Sequence, residues 1–166
     1  MPNTRISDWF HQYSNDLYQF LIYYIGSSDV EDLVQEVFIR AIKNMDSFEE
    51  KSSPKTWLFS IARHIAIDEI RRKQRLKIKN LILMGNQESH QSKSPESFLK
   101  LSETNKDLYD AIQQLKKNYR DVIILRGIKE LSVEETAEIL NWKNEKVRLT
   151  FHRAIKALQK EKERFM

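Results

Sequence analysis

The sequence predicts an all-α protein: two small helical domains joined by a flexible linker, the C-terminal one a helix-turn-helix. Three observations lead there. Apolar residues recur at three- and four-residue intervals through most of the chain, the spacing of one helical face. Gly and Pro number only three each among 166 residues, too few for the tight turns of a β-rich fold. Residues 85–97, from Gly85 to Ser97, hold no large apolar side chain that would anchor a core, which marks a mobile linker.

The first periodic segment starts near Ser7, with Trp9, Phe10, Tyr13, Leu17, Phe20, Leu21 and Tyr24 on one face. Gly26-Ser27-Ser28 breaks it. The second places Val30, Leu33, Val34, Val37, Phe38 and Ala41 inward and Asp32, Gln35, Glu36, Arg40 and Lys43 outward. Residues 44–53 lack this period and read as a loop. Ser53-Pro54 then supplies a helix cap followed by proline at the first turn, where its missing N–H does no harm. Leu58, Ile61, Ala62, Ile65 and Ala66 form the third stripe, with Trp57 and Ile70 at its edge. The expected boundaries are 7–80 for the first domain, 81–103 for the linker and 104–162 for the second domain.

In the second domain Leu101, Leu108, Ile112 and Leu115 suggest one helix, and Tyr119, Val122, Ile123 and Arg126 begin another after Asn118. Gly127, near a helix end, fits either packing or termination. Ser132-Val133-Glu134-Glu135 fits a capping box, in which Ser132 caps the helix and Glu135 reaches back to it. Ala137 and Leu140 point inward, Asn141-Trp142-Lys143 makes a turn, and Asn144 can cap the next helix. That helix has Val147, Phe151, Ala154 and Leu158 inside, and Lys146, Arg148, Thr150, His152, Arg153 and Lys156 outside. Two short helices at an angle, the second basic on its outer face, have the geometry that enters a DNA major groove. Lys and Arg pair with phosphates or guanine edges there, and Thr150 offers a hydroxyl or a methyl. The competing reading is a helical hairpin with a solvated basic face.

The formal charge is only +4, but it is unevenly spread. Residues 29–50 hold seven acids and two bases, residues 63–79 seven bases and two acids, and residues 143–164 eight bases and three acids. Two basic segments suit a polyanion, and the acidic one suits a basic protein surface. The absence of cysteine excludes disulfides and thiolate metal sites and allows a reducing compartment. Met1–Ser14 lacks the pattern of a signal peptide, and no run approaches the ~18 apolar residues of a membrane span. A cytoplasmic protein without membrane insertion is expected. Histidines 11, 64, 90 and 152 have no metal-ligand spacing, and no phosphate-binding loop occurs. His64 and Asp68 are four apart on one helix, but an exposed histidine explains them better than a general base. No metal, cofactor or catalytic residue is expected.

Longer strings then converge. One runs from Asp32-Leu33-Val34-Gln35-Glu36 to Ala41, another from Thr56-Trp57-Leu58 to Arg71-Arg72. A third runs from Tyr119 to Arg126, a fourth from Leu131 to Leu140, and Val147-Arg148 and His152-Arg153-Ala154 close the series. In this order, across a polar linker, they resemble the bacterial RNA polymerase sigma factors of the extracytoplasmic-function group. The resemblance implies that Asp32, Gln35, Glu36 and Arg40 dock on the clamp helices of the polymerase's largest subunit. It implies that the loop 44–53 and the helix from Pro54 open and read the −10 promoter region, capturing a flipped base beside the loop. Arg63, Arg71, Arg72, Lys73 and Arg75 are the expected phosphate contacts there, and Trp57 is assigned to core packing or support of the duplex edge. The helix-turn-helix is expected to read the −35 element and to lie near the flap region of polymerase. Around Lys146, Leu149 and Thr150 the chain departs from the family's usual small or hydroxyl-bearing residues, so the bases it reads stay open. The resemblance further implies promoter DNA and an anti-sigma factor as partners. A linker of about 20–25 residues extends several tens of ångströms, enough for two promoter contacts to act as one tethered pair. The alternatives are a helix-turn-helix regulator that does not bind core polymerase, and a helical adaptor with incidental basic patches.

Overall fold

The computed structural model describes residues 2–27, 29–48, 53–84 and 103–164, all helices and short connections. Helix α1 spans Pro2–Ile25, starting earlier than the apolar stripe itself. Its end follows from Gly26, whose φ of +85° stops the helix in a conformation that side chains disfavour. Helix α2 is Glu31–Lys43, with Glu31 and Asp32 in its first turn and Arg40 and Lys43 in its last, complementing the helix dipole at both ends. A short turn, Met45–Ser47, follows. Helix α3 is Pro54–Met84, and the Ser53 hydroxyl accepts a hydrogen bond from the Thr56 N–H at 3.1 Å, the cap that its sequence signals. Most of the proposed linker, with His90 and Leu101, and residues 49–52 of the first loop lie outside the described residues.

The first three helices pack on one another through Leu17, Phe20, Leu21, Val30, Val37, Leu58, Phe59 and Ala62, all fully buried. Phe20 meets the edges of Phe59 at 5.4 Å, so aromatic side chains fill the centre of this bundle. From Arg71 to Leu83 every residue of α3 is exposed. This half of the helix touches no core, and its Arg, Lys, Gln and Leu residues are good helix formers. α3 is therefore one helix with two environments: a buried first half and a basic arm.

The second half of the chain contains α4 (Glu103–Gln114), α5 (Lys117–Val122), a wide π-helical stretch (Ile123–Ile128), α6 (Val133–Leu140) and α7 (Asn144–Arg164). The separate cores expected for two linked domains merge. A single cluster of buried side chains runs from Ile6 and Phe20 through Ile65 to Ile112, Ile124, Leu140 and Ala154.

Polar contacts join the same seam. Arg63 on α3 forks onto Asp121 on α5, Nε and Nη2 each 3.1 Å from a carboxylate oxygen. Asp121 is 0% exposed and the Arg63 side chain 14%. Burial works against the Arg63 charge, but the hydrogen bonds and charge of Asp121 outweigh it and raise its pKa. Nearby, Arg120 donates to the Tyr24 carbonyl at 3.2 Å, and the Gln113 amide donates to the Tyr23 carbonyl. At the other end of the seam Lys129 reaches Asp16 at 2.7 Å and Gln19 at 2.6 Å.

Removing one member of a buried pair strands the other charge, which costs about 3–5 kcal/mol, whereas a well-packed apolar replacement of both is often neutral. Asp121→Ala is therefore expected to lower stability by about 3 kcal/mol. The double change Arg63→Met with Asp121→Leu should recover most of it. Urea unfolding midpoints check this; an unchanged midpoint in Asp121→Ala would show that the pair does not hold the seam.

Candidate nucleic-acid interface

The helix-turn-helix is built by local chemistry. The Ser132 hydroxyl accepts from the Glu135 N–H at 3.0 Å, while the Glu135 carboxylate accepts from the Ser132 N–H at 2.9 Å, so the predicted capping box forms. Asn141 ends α6 in the left-handed conformation, φ 58° and ψ 47°, which asparagine tolerates better than most residues. The Trp142 N–H then closes onto the Ala137 carbonyl at 2.9 Å. Asn144 is the first residue of α7 rather than its cap. Val147 and Ala154 are fully buried and Phe151 and Leu158 partly so, as their spacing requires. On the opposite side Lys146, Arg148, His152, Arg153 and Lys156 are exposed and Thr150 is half-buried.

Two supports of this face were not legible in the sequence. The Lys146 ammonium sits 4.3 Å from the centre of the Trp142 ring, a cation–π contact that aims the first basic side chain of the helix. Arg126, from the wide helical turn, donates to the Leu131 carbonyl at 2.6 Å and lies over Phe151 at 5.3 Å. It thus pins the loop before α6 to the base of α7. The choice left open for Gly127 also resolves. The helical stretch continues past it to Ile128, so Gly127 terminates nothing. An added Cβ would meet only Phe151, at an ordinary 3.8 Å.

In the first half, Arg71, Arg72, Lys73 and Arg75 stand exposed on the arm of α3. Arg72 is partly engaged, forking onto Glu69 at 3.1 and 2.6 Å, and this hydrogen-bonded charge lowers the Glu69 pKa. Arg63 is different. The sequence groups it with these phosphate contacts, yet here its Nε and Nη2 both donate to Asp121. A single basic segment by composition is split by burial into a seam residue and an exposed arm.

Beside the loop, Trp57 is half-buried in an aromatic cluster with Phe48 at 4.9 Å and Trp9 at 6.1 Å. The Arg5 guanidinium lies 5.2 Å from the Trp9 ring centre and 5.7 Å from that of Phe48. Trp57 takes the packing role expected of it, and its contact with Phe48 was not legible from helical spacing.

On α2, Asp32 and Gln35 are exposed, while Glu36 and Arg40 are partly exposed and pair at 3.2 Å. Such an i,i+4 pair at the surface contributes little to stability, so both groups stay available to a partner. Ile39, Ile42 and, from α1, Phe10 add exposed apolar surface around this face. A charged patch mixed with large apolar side chains has the make-up of a protein interface rather than of ordinary solvated surface.

Residues 9–76 match Sigma-70 region 2, and residues 105–158 match Sigma-70, region 4. The chain is 41% identical to the ECF RNA polymerase sigma factor SigX of Bacillus subtilis, over 94% of this chain and 81% of that protein. The chain belongs to the ECF RNA polymerase sigma factors. It is also 34% identical to SigW of the same organism, over 90% of this chain and 84% of that protein. Among solved structures, the sigma factor RpoE of Bartonella quintana, crystallised with the anti-sigma factor NepR, superposes with a TM-score of 0.73. It shares 25% identity, over 93% of this chain and 94% of that one. CnrH, solved with the cytosolic domain of CnrY, shares the fold at a TM-score of 0.67 and 22% identity, over 95% of this chain and 86% of that one. The protein is an alternative sigma factor that directs promoter-specific transcription. A regulator that never meets core polymerase is disfavoured, because the match covers both halves and not the helix-turn-helix alone.

The two glycines discussed above predict opposite effects. Gly127→Ala, exposed and without crowding, should stabilise by about 0.5–1 kcal/mol. Gly26→Ala should destabilise, since its φ is +85° and its Cβ would approach the Gln113 side chain to 2.7 Å. Thermal melts of the two variants are the check; a matched shift in the same direction would contradict it.

Proposed function

We propose that this sigma factor holds core polymerase through α2 and reads a promoter at two points, with the arm of α3 at the −10 region and α7 at the −35 element. The observation that carries this is the outer face of α7, whose five exposed basic or imidazole side chains stand opposite an inner face packed through Val147 and Ala154. In this reading Asp32, Gln35, Glu36 and Arg40 meet the clamp helices of the largest subunit, and the neighbouring Phe10, Ile39 and Ile42 supply the apolar part of the contact. Arg71, Arg72, Lys73 and Arg75 meet phosphates near the −10 region, and Arg63 joins them only when the halves part. Lys146, Arg148, Thr150, His152, Arg153 and Lys156 face the −35 element, with the second half also near the flap. Residues 7–80 and 104–162 act as the two reading units, joined by residues 81–103.

An anti-sigma factor is the proposed regulator, supported by the complex in which the Bartonella relative was solved. The protein works in the cytoplasm, where its polymerase is. No helix among the described residues is long and apolar enough to cross a membrane. It performs no chemistry of its own, and the reaction it directs is carried out by the polymerase.

Reconstitution with core polymerase tests the reading. Asp32→Lys with Glu36→Lys should weaken core binding at least about tenfold, roughly 1.4 kcal/mol, while the melting temperature holds. Binding at parental strength would remove α2 from the docking surface. Arg148→Ala with Arg153→Ala should reduce the slope of log affinity against log salt by about 1.8 on −35 DNA, as two lost phosphate contacts require. An unchanged slope and footprint would mean that α7 presents another face to DNA.

A further inference from the structure

The seam between the halves is not filled. A cavity of about 330 Å³ lies where the end of α1, the middle of α3 and the start of α5 meet. Its floor is Tyr24, Ile67 and Ile70, and its rim carries Arg71, Lys117 and Arg120. Three cations surround it and no lining residue is acidic.

The carboxylates beside these residues in sequence are already committed. Asp121, next to Arg120, gives both oxygens to Arg63, and Glu69, near Arg71, gives both to Arg72. Arg120 has no carboxylate within salt-bridge distance among the described residues. Its guanidinium donates only to main-chain carbonyls, of Tyr24 at 3.2 Å, Gln113 at 2.9 Å and Leu115 at 3.3 Å. Its Nε is buried without a hydrogen-bond partner, and the Tyr24 hydroxyl beside it has only the Asp121 carboxylate, already committed to Arg63, within reach. Burial lowers the Arg120 pKa, and the nearby charge of Asp121, already paired with Arg63, offsets this only in part. Buried donors without partners are uncommon in folded proteins, and each calls for a ligand or an ordered water.

We propose that this cavity binds a small phosphate-bearing anion, held by Arg71 from the first half and by Lys117 and Arg120 from the second. Guanidinium groups match phosphate oxygens in geometry as well as charge, and the lysine adds a third positive contact. The Ile67 and Ile70 floor leaves room for an apolar or planar body behind the phosphate, and the volume is at the lower end of small-ligand sites. Because the cations come from both halves, the bound anion bridges the seam. The site stands on the cavity and its unpaired donors, independently of which promoter the protein reads.

The test uses the full chain at constant ionic strength, with sodium chloride as the reference and inorganic phosphate, pyrophosphate or adenosine monophosphate as probe. A saturable rise in melting temperature of at least about 3 °C is expected, with amide shifts centred on Tyr24, Ile70, Lys117 and Arg120. Tighter binding of the nucleotide identifies an organic phosphate as the ligand class, and response to the inorganic anions alone identifies the free ion. Arg71→Ala with Lys117→Ala, both exposed positions, should abolish the response without lowering the melting temperature in chloride. Should that pair prove poorly folded, Tyr24→Phe removes one buried hydroxyl and should weaken the response. Lys160→Ala with Lys162→Ala, exposed on α7 and outside the cavity lining, should keep it. No saturable response with any probe, or an equal response in the cavity and α7 variants, overturns the proposal.

Discussion

The carboxylate of Asp121 is the constraint around which the two halves are arranged. It is completely buried, and an ionised carboxylate withdrawn from water is costly unless a cation and hydrogen bonds reach it. Arg63 provides both, from a position 58 residues earlier in the chain. That requirement sets α3 against α5 in one register, and other contacts follow from it. The end of α1 comes beside α5, where Arg120 takes the Tyr24 carbonyl. Tyr24 itself is buried next to the pair, and its pKa is pushed far above the usual value by burial and by the charge of Asp121. The cavity rimmed by Arg71, Lys117 and Arg120 is the space that remains where these rigid pieces meet.

The same constraint explains why α3 can serve two purposes. Up to Ile70 its apolar stripe is held between α1, α2 and the second half, so its orientation is fixed by packing. Beyond that point the helix leaves the core with Arg71 at the rim of the seam, and continues into solvent on its own propensity, carrying Arg72, Lys73 and Arg75 away from the body. A phosphate contact needs a positioned charge but little sequence information, and a rigid helix emerging from a core supplies that position. On α7 the arrangement is reversed: packing runs under the basic face, through Val147, Phe151 and Ala154, so each outer side chain is displayed from a fixed backbone.

What the sequence revealed and what it did not divide along physical lines. Periodicity, caps and turns are local, so the helices, the Ser53 cap, the Ser132–Glu135 box and the turn at Asn141 were all legible. The faces of α2 and α7 were legible for the same reason. Pairings between distant segments were not. Nothing near Arg63 distinguishes it from Arg71, yet one is buried against Asp121 and the other rims a cavity. Asp121 stands in a string that reads as an ordinary amphipathic helix, and its burial depends on a partner that periodicity cannot name. The Lys146–Trp142 contact and the Trp9–Phe48–Trp57 cluster are likewise tertiary. The merged core was hidden by the polar stretch 85–97, whose composition speaks of the connection and not of the surfaces it connects.

A seam joined partly by charge behaves differently from one joined by hydrocarbon alone when its halves separate. Opening an apolar contact exposes surface to water at about 25 cal/mol for every Å². Opening the Arg63–Asp121 pair instead returns two ions to a solvent that hydrates them well, which recovers much of the desolvation cost of having buried them. In the two-point reading Arg63 gains more than water, because a promoter phosphate can take the place of the Asp121 carboxylate with the same forked geometry. An arginine exchanged between an internal carboxylate and an external phosphate lowers the net cost of opening only when DNA is present. Polymerase and promoter binding would then oppose the apolar part of the seam, while the polar part is exchanged rather than lost. On this argument the pair gives the closed arrangement its register and leaves it open to competition from a polyanion, a combination that a wholly apolar seam would lack.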